Sequence, residues 1–135
     1  MTRHLIRTSS IALAGFLSAA TVSAPALAAP VDRTPPTKPF VLYASGLRWT
    51  GGCLPLTIGI QRSTDNVTPQ SALTYEVYAD GTRLGSLTDP GTSPAVWGTL
   101  HFTHPGPQTV TARAVDAAGN RSAPSNANVI TPYPC

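Results

Sequence analysis

From residue 40 onward apolar positions recur with a period of two, in short runs separated by glycine, proline, asparagine and aspartate. That period is the signature of strands with one buried face. Residues 40–45 (FVLYAS) predict a short apolar strand. Residues 54–61 (LPLTIGIQ) alternate cleanly, with Leu56, Ile58 and Ile60 on one face and Thr57, Gly59 and Gln61 on the other. Residues 73–79 (LTYEVYA) place Leu73, Tyr75 and Val77 together and turn Glu76 to the opposite face, towards solvent. Asp80-Gly81 is the strongest hairpin signal in the chain, and it leads into a return strand over 83–87 (RLGSL). In residues 95–103, Val96, Gly98, Leu100 and Phe102 alternate with Trp97, Thr99, His101 and Thr103. Residues 108–115 point Val110, Ala112 and Ala114 one way, and 126–131 close the pattern. Residues 47–50 read as strand or loop.

Seven short strands at this spacing, with no helical period, predict an all-β fold: an antiparallel two-sheet sandwich. Composition agrees. Past residue 28 there are 13 Pro, 10 Gly and 15 Thr but only one Glu and one Lys. Proline and glycine interrupt helices, and threonine favours a pleated surface.

The first 28 residues have a different character. Arg3, His4 and Arg7 give a positive start, and residues 11–22 (IALAGFLSAATV) are mostly apolar. Twelve residues are too few to cross a bilayer, which takes about 20. Ala26-Leu27-Ala28 fits signal-peptidase cleavage, so residues 1–28 are expected to be a signal peptide. Residues 29–38 form a proline-rich extended lead-in, and residues 39–135 the sandwich domain. The remaining length suits one domain and excludes a two-domain dinucleotide fold or an eight-stranded α/β barrel. Seven basic residues then face six acidic ones. Scattered as they are, they make no phosphate-tracking stripe, so no nucleic-acid partner is expected.

Cys53 and Cys135 are the two cysteines. An even count in an exported domain reads as a disulfide, closing a loop of about 83 residues and worth roughly 4 kcal/mol on the chain-entropy account. Two free thiols, or pairing between chains through Cys135, are the other readings.

Three stretches carry a family resemblance. They are residues 63–67 (STDNV), residues 75–81 (YEVYADG) and residues 113–124 (RAVDAAGNRSAP), together with the lead-in DRTPP at 32–36. In this order and spacing they resemble bacterial fibronectin type III domains, which are carried by secreted polysaccharide-degrading enzymes and surface proteins. The resemblance covers about residues 32–130. There are departures. Ile60 stands where the family has a core tryptophan, Gln108 stands where it has its corner tyrosine, and the cysteine pair is atypical. A generic bacterial immunoglobulin-like domain therefore stays open. The family topology would bring Cys53 and Cys135 to the same pole, as a disulfide there requires.

The side chains offer little catalytic chemistry. Asp32, Asp65, Asp80, Asp89 and Asp116 fall in turns or the lead-in, where aspartate bonds to its own backbone. No carboxylate pair is placed for work on a sugar, and there is no Gly-x-Ser-x-Gly elbow. No enzyme and no cofactor are expected. His101 and His104 point to opposite faces of a strand and make no metal pair. In the family topology Asp32, Asp65, Asn66, Asp116 and Asn120 would meet at one pole. They could ligate calcium, which takes six to eight oxygens; the preferred reading is that they cap turns. Trp49 and Trp97 fall on loop-like or outward positions. They either stack on sugar rings or cover the sandwich ends.

The expectation is a secreted, monomeric, non-catalytic binding module. Its partner would be an extracellular polysaccharide, on the strength of the resemblance, or a secreted or surface protein. An inhibitor of a secreted hydrolase, presenting residues 88–94 or 62–71, and a structural cell-envelope protein are the alternatives. After signal cleavage no membrane association is expected.

Overall fold

The computed structural model describes residues 30–46 and 55–132. Seven strands run through them: β1 Phe40–Gly46, β2 Pro55–Gln61, β3 Thr74–Ala79, β4 Thr82–Thr88, β5 Ala95–His101, β6 Gln108–Val115 and β7 Asn128–Ile130. One turn of 3-10 helix, Gln70–Ala72, precedes β3. It is the one helical turn among the described residues, where the sequence pattern predicted none. Every described strand pairing is antiparallel, and the strands form two sheets, β1-β2-β5 and β4-β3-β6-β7.

The alternation read from the sequence sets which faces meet. Leu56, Ile58 and Ile60 of β2 and Val96 of β5 pack against Tyr75 and Val77 of β3 and Val110, Ala112 and Ala114 of β6, all fully buried. Ile60 occupies the position expected for a core tryptophan. The large core ring comes instead from Tyr75, whose burial leaves its hydroxyl needing a partner. The Ser63 amide donates to it at 2.8 Å. Burial pushes the Tyr75 phenol above its usual range.

Two turns deserve their residues. Asp80 and Gly81 have φ of 46° and 80°, the pair of positive values that a two-residue hairpin needs. Asp80 also accepts from the Thr109 amide at 2.8 Å, tying the hairpin tip to β6. At the start of β6 the sequence lacks the corner tyrosine, yet a corner exists. Gln108 is buried, and its Nε2 donates to the carbonyl of His104 four residues upstream. A side-chain amide thus does what a phenol hydroxyl does in related sandwiches.

The last strand is shorter than the alternation suggests. Ser122 and Ser125 lie alongside β6, and their hydroxyls accept from the Ala114 and Ala112 amides, each at 2.9 Å. Pro124 has no amide to offer; on either side of it Ser122 and Ser125 continue the pairing until β7, their own amides donating to the Ala114 and Ala112 carbonyls at 2.9 and 2.8 Å. Asn126 then bonds both polar groups of the Val41 backbone, joining β1 to the opposite sheet's connection.

Candidate functional site

Three places bring chemically capable side chains together. The first is a pole of the sandwich, where the carboxylates of Asp32, Asp65 and Asp116 lie within 4.8 Å of one another. The lead-in reaches that pole because Thr37 pairs with Thr64 and the Asn120 amide donates to the Asp32 carbonyl at 3.1 Å. Each carboxylate also caps its turn. Asp32 accepts from the Thr34 amide, and Asp65 accepts from Thr68 and Val67 at 2.7 and 3.0 Å. Asp116 accepts from the backbone and side chain of Asn120. The Thr68 and Val67 amides hold the Asp65 carboxyl below its usual range. Convergence and capping, set against each other in the sequence, occur together. One oxygen of Asp32 and one of Asp65 are enclosed without a hydrogen-bond partner. Asn66, next to Asp65, is exposed.

The second place is the outer face of β4-β3-β6. Glu76 lies on the face opposite Tyr75, as the alternation requires, but it is buried rather than solvated. Arg121 grips it with two bonds of 2.9 and 3.2 Å, and the Tyr78 hydroxyl donates at 2.7 Å. Arg83 adds an ion pair at 3.5 Å. The long arginine stems cover the carboxylate, an effect that strand alternation does not register. Arg121, then Tyr78, hold the Glu76 carboxyl below the usual glutamate range. Beside this network an open groove of 380 Å³ is lined by Tyr78, Thr111, Arg113, Arg121 and Pro124.

The third place is the outer face of β1-β2-β5. Trp97 stands there with 56% of its surface exposed, and Tyr43 with 45%. Their ring centroids are 6.1 Å apart at an interplanar angle of 46°. Trp49, Cys53 and Cys135 lie outside the described residues. His101 and His104 are both exposed. Asp89, read from the sequence as a loop residue, has its carboxylate fully buried against Arg62. No short motif announces that contact, because the partners are 27 residues apart.

No family model matches the chain. Its course follows part of the spore cortex lytic enzyme SleM of Clostridium perfringens, with a TM-score of 0.51 and 16% identity over 72% of this chain and 28% of that one. That likeness accompanies a three-strand sheet β1-β2-β5 facing a four-strand sheet β4-β3-β6-β7. The fold is an antiparallel two-sheet β-sandwich of seven strands. Two other solved structures align with this domain at a TM-score of 0.45. Fibronectin(III)-like modules of Clostridium thermocellum CbhA do so with 22% identity, over 69% of this chain and 92% of theirs. A PKD domain of an M14-like peptidase from a Thermoplasmatales archaeon does so with 18% identity, over 73% and 96%. Among curated proteins, Exoglucanase B of Cellulomonas fimi is 34% identical over 128 residues. The match takes in 86% of this chain, and the chain spans 10% of the length of that relative.

Proposed function

We propose that this domain is an extracellular, non-catalytic accessory module that binds polysaccharide beside enzymes that degrade it. The observation that carries the reading is the similarity to Exoglucanase B, whose name denotes action on a glucan. One domain's length of that much longer protein aligns with nearly all of this chain, as an accessory unit would. A leader over residues 1–28 and a bridge between Cys53 and Cys135 belong to the same reading. Among the described residues no helix is long and apolar enough to cross a membrane.

The test is depletion of the purified chain from solution by insoluble cellulose, xylan, chitin and peptidoglycan at moderate salt. Retention on at least one is expected. Failure on all four, with the fold checked by circular dichroism, overturns the reading and turns the search to protein partners.

A further inference from the structure

The outer face of β1-β2-β5 is built around a missing side chain. Gly59 at the centre of β2 pairs in register with Tyr43 on β1 and Trp97 on β5. The three residues form one row across the sheet. A strand tryptophan ordinarily stands up from its sheet; this one lies across β2. A Cβ placed on Gly59 would fall 2.6 to 2.9 Å from three carbons of the six-membered indole ring. The inner face of the ring therefore rests on bare backbone, and more than half of the residue's surface is left to water. Tyr43 extends the aromatic surface towards β1.

The positions around this row are uncharged and mostly polar, with Phe40 and Ala95 flanking Gln61. Register places Ser45, Thr57 and Thr99 on one side of it and Gln61 on the other. The row and these neighbours carry no carboxylate, ammonium or guanidinium. The opposite outer face carries Glu76, Arg83, Arg113 and Arg121. Charge is thus segregated, and the aromatic face is the neutral one. A phosphate-rich or acidic partner would call for cations here. An uncharged pyranose chain calls for what is present: ring faces to stack against C–H groups, and hydroxyl and amide groups to bond its hydroxyls.

We infer that the Tyr43–Gly59–Trp97 row is a stacking platform for a neutral polysaccharide. This rests on the accessory-module reading above and names its binding face. Trp97→Ala removes the platform. Gly59→Val keeps the indole but displaces it. Arg83→Ala, on the opposite sheet, is the control.

The measurement is the apparent Kd of the full chain for insoluble cellulose and for a soluble uncharged β-glucan, with melting temperatures of every variant. A weakening of tenfold or more is expected for Trp97→Ala and Gly59→Val, several-fold for Tyr43→Ala and none for Arg83→Ala. Binding that survives both Trp97→Ala and Gly59→Val overturns the platform and leaves the accessory-module reading standing. Retention by the parent chain on anionic peptidoglycan alone overturns the neutral ligand. No retention on any polysaccharide overturns the platform together with the reading beneath it.

Discussion

Leu87 of β4 fills the space that a side chain on Gly98 of β5 would occupy. The arrangement is reciprocal, because a Cβ on Gly85 of β4 would meet the Leu100 Cδ2 of β5 at 2.8 Å. β4 and β5 are edge strands of different sheets. Two leucine–glycine contacts therefore close the sandwich where the chain crosses between them. Gly98→Ala meets three atoms of a branched leucine, whereas Gly85→Ala meets one methyl. Overpacking costs about 1–3 kcal/mol. Gly98→Ala is expected near the top of that range and Gly85→Ala near the bottom, read as urea midpoints at constant m-value.

Arg62 and Asp89 hold the end of β2 to the β4–β5 connection. The carboxylate has no solvent exposure and also accepts from the Gly91 amide at 2.7 Å. Removing one partner of a buried pair strands the other charge, at a cost of about 3–5 kcal/mol. Arg62→Met leaves a buried anion, whereas Asp89→Asn leaves a neutral amide and an arginine that can reach water. Arg62→Met is therefore expected to melt lower than Asp89→Asn. The reverse order would count against a buried carboxylate at position 89.

Stability is expected to fall in acid partly through Glu76. Its folded carboxyl is held below the ordinary range by Arg121 and Tyr78. The unfolded chain therefore takes up the proton first, near the ordinary glutamate value of about 4.3. The contribution is complete above that value and is lost as pH falls through the lower folded one. Asp65, also lowered, acts in the same direction. Glu76→Gln is expected to destabilise by about 1–2 kcal/mol at pH 7, discounted for the half-exposed arginines. The gap between parent and variant should shrink as denaturation curves are taken below pH 4.

The glutamine corner makes a separate prediction. Gln108→Leu removes the bond to the His104 carbonyl and is expected to cost about 0.5–1.5 kcal/mol. Gln108→Tyr offers a hydroxyl donor from the same strand position, and its melting temperature should lie above that of the leucine variant.

At the acidic pole, Asp32→Asn keeps an acceptor for the Thr34 amide and removes one of three neighbouring charges. In chelator it is expected to raise the melting temperature by about 4 °C, equivalent to under 1 kcal/mol for a domain of this size. The parent chain measured in excess calcium and in chelator reads the same cluster directly. An unmoved melting temperature leaves the three aspartates as turn caps alone.

What the sequence determined by itself is the set of local decisions. A period of two in residues 54–61 and 108–115 is enough to say which side chains go inside, because strand geometry alternates them whatever the sheet order. Asp80-Gly81 declares its hairpin because both residues accept positive φ. The meeting of Asp32, Asp65 and Asp116 followed from motif order once the family topology was assumed.

Tertiary structure decided whatever depends on a partner distant in the chain. Glu76 is on the outer face, as alternation says, but an arginine 45 residues later covers it. Asp89 is buried because Arg62 reaches it. Gln108 takes the tyrosine's place because its amide lands on the His104 carbonyl, which residue identity alone does not reveal. Trp97 was legible as outward-facing. That it lies flat was not, since this depends on strand register setting a glycine directly beside it. Alternation is a property of one strand, whereas coverage and register belong to pairs of strands, and only the folded chain specifies the pairs.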